Sequence, residues 1–265
     1  MYKRSTTLAV ALVTLLAISC GSGGGGAGDF NLISIEDEWR LGEQLSQDVA
    51  RQVRLSNDST LNNYVSGMGQ RLVAQAPAPF NQLPWHFHVV EDPAINAFAI
   101  PGGHVYVNTG LIANSDNAAE LAGVMAHEIS HVTARHSTEQ ITRQYGLSIL
   151  AGLVLGQDPN QLAQIAAQIV AGGALARFSR GAEEEADELG IRAMAAAGYN
   201  PIGMATMFEE LLEHQQSQPG RVEQFFSTHP LTADRARKAR DRAQQLGERG
   251  TLDEPGFQAA RSRVG

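Results

Sequence analysis

His127-Glu128-Ile129-Ser130-His131 places two imidazoles four residues apart with a carboxylate beside the first. On a helix these positions stack one turn apart on one face, so both rings can bind one Zn2+ ion at about 2.0–2.1 Å. Glu128 can then take a proton from water activated by the ion, whose pKa falls toward roughly 7, and pass it to a leaving amine. Leu121, Val124, Met125, Ile129 and Val132 make the rest of the segment apolar, as a buried helix requires. Histidines at this spacing also occur without metal, and a catalytic ion needs a third protein ligand beside an open position.

Downstream candidates for that ligand are His136, His214, His229 and the acidic run in Ser179-Arg180-Gly181-Ala182-Glu183-Glu184-Glu185-Ala186-Asp187-Glu188. If the helix continues, His136 points away from the shared face and reads as a surface residue. The histidine and glycine pattern that supplies a third ligand in metzincins is absent. On a helical wheel Ala182, Ala186, Leu189, Ala193 and Ala197 form the apolar face, which turns Glu184 and Glu188 to water and leaves Glu183 and Glu185 at its two borders. Both remain candidates. Glu185 shares its edge with Arg192, which suggests local ion pairing. Glu183 has Gly190 beside it, where another helix could approach, and Asp187 one turn along could hydrogen-bond a ligating histidine.

The elements that must carry these residues can be read from periodicity. Apolar positions recur at helical spacing over 35–55 and 60–75. Trp85-His86-Phe87-His88-Val89-Val90 reads as a strand, and two further short strands flank the Pro101-Gly102-Gly103 turn, giving one small, mainly antiparallel sheet. The metal-binding helix follows, with Ser115 or Asp116 as its cap and Glu120 in its first turn. Two apolar helical pieces, 146–155 and 162–176, read as a packed hairpin, with a lid or membrane-facing element as the alternative. A basic helix runs over 232–246, and 248–265 reads as a flexible tail. The fold class is α+β, mainly helical, with one domain over 31–247.

The chain has 265 residues, of which 43% are apolar, and a formal net charge of -8. An acidic chain offers no field for phosphates, which excludes nucleic acid as an expected partner. Lys3 and Arg4 precede a short apolar run ending near Cys20, which marks residues 1–19 as a signal peptide. Cys20 is the single cysteine, so no intramolecular disulfide can form. Its position resembles a bacterial lipobox, with lipidation of Cys20 expected and an ordinary secretory signal as the alternative. The glycine-rich stretch 20–30 would then be a tether reaching roughly 15 Å from a membrane.

Taken in order, several motifs resemble the family-48 zinc metallopeptidases, the gluzincins that include the HtpX, Oma-type and CAAX prenyl proteases. They are Asn96-Ala97-Phe98-Ala99 with Pro101-Gly102-Gly103-His104-Val105-Tyr106-Val107, His127 to His131, Ser179-Arg180 with Glu183 to Asp187, and Thr228-His229-Pro230. The resemblance implies His127, His131 and Glu183 as ligands of one Zn2+, Glu128 as catalytic base, and Asp187 behind a ligand. It places His229 near the metal, as oxyanion donor or resting-state cover, and implies that Arg235 steadies that loop. His104, Val105, Tyr106 and Val107 resemble the edge strand that binds extended substrate, with Asn96 in the same motif. The implied function is a periplasmic endopeptidase, tethered to the outer membrane, acting on unfolded or misassembled envelope proteins. The alternative is a chaperone or assembly factor for outer-membrane proteins with little proteolysis.

Overall fold

The computed structural model describes residues 33–172 and 177–264. The signal segment, Cys20, the glycine tether and residues 173–176 lie outside the described residues. The chain runs through α1 (Ile35–Ala50), α2 (Ser59–Val73), β1 (His86–Val90), β2 (Ala97–Ile100), β3 (His104–Asn108), α3 (Thr109–Asn114), α4 (Ala118–Thr133) and α5 (His136–Tyr145). It continues through α6 (Leu147–Val154), α7 (Pro159–Val170), α8 (Arg180–Ala196), α9 (Ile202–Ser217), α10 (Pro219–Thr228), α11 (Ala233–Leu246) and α12 (Pro255–Arg261). The mainly helical α+β class holds.

The sheet is mixed, with order β1-β3-β2, because β1 pairs with β3 in parallel and β2 pairs with it antiparallel. The expected hairpin is β2 and β3. What the spacing did not show is that segment 91–96 crosses over the sheet instead of turning back. Asp92 anchors the crossing: its side chain accepts from the Ala94 N–H at 2.8 Å, and its carbonyl accepts from Gly110 N and Thr109 Oγ1 at 2.8 and 2.9 Å. The strand 104–107, expected at the edge, is therefore central, with both its backbone edges paired. The edges belong to β2 and to β1, whose outer side meets Leu55 and Ser56 only at its C-terminal end.

Alternation along the strands divides the core. Phe87, Val89, Val105 and Val107 face a cluster with α2, α4 and α8 to α12, whereas Val90, Phe98, Ile100 and Tyr106 face α1 and α5 to α7. Helix α4 runs through the first of these clusters with Ala118 through Val132 all buried. Its cap is Asn117, whose side chain accepts from the Glu120 N–H, and Glu120 in turn accepts from the Asp116 N–H at 2.6 Å. This is a reciprocal cap one residue beyond the expected positions.

Helices α6 and α7 pack their Leu150, Leu153, Leu162 and Ile165 against Leu41, Leu45 and Val49 of α1. Among the described residues, no helix is long and apolar enough to cross a membrane. The C-terminal segment departs from its expected flexibility. Phe257 and Ala260 of α12 are fully buried in the main core, and the Phe257 ring lies 6.3 Å from that of Tyr64. A helix this short carries too few turns for its apolar pair to register as a period.

Candidate active site

Helix α4 sends His127, Glu128 and His131 toward α8, and the two helices meet at a glycine. A Cβ on Gly190 would lie 3.1 Å from His127 N and 3.2 Å from Ala126 C, so a bare backbone eases this close approach. Two turns earlier on α8, Glu183 thereby reaches the histidines. Ser179 caps α8 by accepting from the Ala182 N–H at 3.2 Å, which leaves Glu183 in the first turn, where the helix dipole favours an anion.

Four side chains converge. His127 Nε2 lies 3.1 Å from His131 Nε2 and 3.2 Å from His229 Nδ1, and Glu183 Oε1 lies 3.0 Å from His229 Nδ1. Glu183 is 3.6 Å from each histidine of α4. All four are at most 1% exposed, and one donor atom from each falls within 4.8 Å of every other. Glu128 Oε1 is 3.3 Å from His229 Nε2.

The surrounding contacts fix the rings. Asp187 Oδ1 lies 2.9 Å from His127 Nδ1, which leaves Nε2 as the ring nitrogen facing the cluster. Arg235 holds Asp187 with a fork of two 2.8 Å bonds, reaches Glu183 Oε2 at 2.6 Å and donates to the Pro230 carbonyl at 3.1 Å. One guanidinium thus ties two carboxylates of α8 to the loop carrying His229. His136 is buried, with its Nδ1 2.9 Å from His131 Nδ1 and its Nε2 3.4 Å from Glu185 Oε2. It is not the surface residue its spacing suggested. Helix α4 ends at Thr133, and Arg135 takes a left-handed conformation at φ 61° that swings His136 back under His131.

Electrostatics favour a cation here. Burial pushes the Glu128 carboxyl up, opposed by the nearby His229 and His127. Burial would also raise Glu183, but His229 and His127 outweigh it and hold the carboxyl well below the usual range. His127 goes the other way: burial opposes its charge, yet the carboxylates of Asp187 and Glu183 push it up to about 9. Three buried carboxylates, Glu128, Glu183 and Asp187, lie here with one buried guanidinium, which reaches only the last two, and buried charges are paired or coordinate metals. The residues present fit a divalent ion.

Glu128 borders a cavity with about 20 Å³ open to the centre of a water molecule, room for about one water. Ala99 of β2, Ile141, Ile169, Phe178 and His229 also line it. Phe178 stacks on His131 with ring centroids 3.9 Å apart. It precedes the α8 cap, the place of a hydrophobic staple, which is the signal that could have singled it out.

Other expected residues lie elsewhere. His104, Val105, Tyr106 and Val107 are buried within the central strand and do not line the cavity. Asn96 is buried, and its carbonyl accepts from Asn108 N at 3.0 Å. Glu185 meets His136 instead of Arg192, which pairs with Glu188. Glu184 stays exposed beside Lys238 at 3.0 Å.

A profile of peptidase family M48 matches residues 59–243. The beta-barrel assembly-enhancing protease of Escherichia coli (strain K12) is 32% identical over 241 residues, covering 88% of this chain and 49% of that protein. The mitochondrial metalloendopeptidase OMA1 of Schizosaccharomyces pombe is 33% identical over 214 residues, covering 79% and 62%. The chain spans about half the length of the first of these. With the profile running from α2 into α11, across every residue of the buried cluster, the chain belongs to peptidase family M48.

Proposed function

We propose that the chain is a zinc-dependent endopeptidase, with His127, His131 and Glu183 as metal ligands, Glu128 as general base and Asp187 orienting His127. The observation that carries this reading is the buried convergence of two imidazoles and a carboxylate with a second carboxylate beside them. The nitrogen separations of 3.1 and 3.2 Å approach the roughly 3.3–3.4 Å edge of a tetrahedron with Zn–N bonds of about 2.0–2.1 Å. When bound, zinc polarises a carbonyl and lowers the pKa of water. Glu128 accepts a proton in the cavity, its raised pKa bringing it nearer the range of a base that must later return that proton. His229 stands where a fourth donor would, in contact with Glu183 and Glu128, which supports the role of resting-state cover over that of oxyanion donor. The β2 edge, whose Ala99 borders the cavity, is the strand that extended substrate would join, since main-chain pairing reads shape more than sequence.

Substrates are proposed to be unfolded or misassembled envelope proteins, with the domain on the periplasmic side of the outer membrane and anchored through Cys20. The lone cysteine after the apolar run and the likeness to a protease named for β-barrel assembly support this placement. The cavity at Glu128 is too small for a peptide, and this favours a second reading in which the chain binds clients as a chaperone or assembly factor and seldom cuts them.

The test is cleavage of an unfolded protein by the zinc-loaded full chain. Glu128→Gln should lower kcat by about 10²–10⁴-fold with metal content unchanged. Equal rates in both proteins would sink the catalytic assignment. Clients captured equally by both proteins, but cut by neither, would establish the second reading. His229→Ala should raise the rate if His229 is a cover and lower it if it is an oxyanion donor.

A further inference from the structure

A second group of donors lies on the α1 side of the sheet and shares no residue with the first. Strand alternation turns His86, His88, His104 and Tyr106 to this side, and the parallel register sets His86 opposite His104. The His86 and His104 rings stack with centroids 4.7 Å apart, and the His88 and His104 rings are nearly parallel at 5.6 Å. From α1, Glu43 Oε1 reaches within 3.3 Å of His104 Nε2 and 3.5 Å of His86 Nε2. The neighbouring Gly42 makes this possible: a Cβ there would lie 2.2 Å from the Pro101 carbonyl oxygen, so the α1 backbone rests directly on the turn that leads into His104.

We propose that Glu43, His86 and His104 form a second metal site, for a divalent transition ion of the zinc or copper class, separate from the family's centre. Their donor atoms lie within 4.8 Å of one another. Two imidazoles and one carboxylate suit Zn2+ or Cu2+, whereas Mg2+ and Ca2+ require oxygen-rich sets. The His104 side chain is 5% exposed, and those of His86 and Glu43 are 45% and 56% exposed, giving a fixed anchor with two ligands open to solvent. His88 Nε2 lies 3.3 Å from His104 Nδ1, placed to accept its proton and leave Nε2 aimed at Glu43, as partners of ligating histidines do. Burial and the neighbouring imidazoles lower the His104 pKa and bring His88 down to about 4. An exposed Glu–His contact by itself is worth little. Bridging α1, β1 and β3, the ion would fasten to the sheet the helix on which α6 and α7 pack.

The experiment is metal content of the full chain after equilibrium dialysis against micromolar free Zn2+, repeated with Cu2+. Wild type should hold two ions per chain with at least one of these metals, and His86→Ala and Glu43→Gln should each lose one while keeping peptidase activity. Glu183→Gln should lose the other. His88→Phe should weaken the second ion about 10–100-fold. Both truncated side chains are at the surface, so circular dichroism should be unchanged. The proposal is overturned if wild type holds one ion that Glu183→Gln removes, or if a second ion persists in both His86→Ala and Glu43→Gln.

Discussion

Glu183 and Glu185 stand two positions apart and meet different histidines, one inside the buried cluster and one behind it. Glu183→Gln should empty the family's metal centre, and Glu184→Gln and Glu185→Gln should retain it. His136→Ala should weaken metal binding by about 10–100-fold, because it removes the hydrogen-bond partner of His131. Competition against a chromophoric chelator reads all four. The wheel and Gly190 made Glu183 and Glu185 visible as candidates, and the family motif separated them. His136 was hidden because its position depends on a left-handed residue that is not glycine. Arg135 holds that conformation through contacts far away in sequence, to Glu38 Oε2 at 2.6 Å and the Ile33 carbonyl at 2.7 Å. No local pattern announces such a turn.

At the level of elements, the α4–α8 crossing sets the separation of the donors. Gly190→Ala would put a methyl 2.9 Å from Met204 Cε as well as against the α4 backbone. The expected cost is about 1–3 kcal/mol, with weaker metal binding as α8 is pushed back. Gly67→Ala in α2 is the control: nothing lies within 4 Å of its Cβ, and the stability gain should be about 0.5–1 kcal/mol. Urea unfolding of the two variants measures the contrast. Helix and strand positions were legible because each period repeats over several residues. Pairing order was not, since the crossing at 91–96 is held by side-chain and backbone bonds around Asp92 that leave no periodic trace. Residues 104–107 therefore lie in the central strand, and the proposed substrate edge is β2 instead.

Over the whole molecule, the acidic balance is felt most where α9 faces the start of α4. Burial first, and then Glu120, Asp116 and Glu213, push the Glu210 carboxyl up to about 8. A carboxyl raised on folding binds its proton more tightly in the native state. Its stabilising contribution is therefore full below the unfolded pKa of about 4.3 and is lost as pH rises through about 8. Glu210→Gln should match wild type near pH 4 and exceed its melting temperature near pH 9, with solvent screening reducing the gain. A melting difference that does not grow with pH would remove Glu210 from this role. The closed cavity at Glu128 also makes exchange with solvent a kinetic quantity. With every donor at most 1% exposed and room for about one water, a chelator can capture the ion only from molecules that have already opened. Metal loss to a chelator should accordingly reach a plateau rate as its concentration rises, and that plateau would be the opening frequency of the resting site, a clock for the motion that substrate would await in the proposed peptidase.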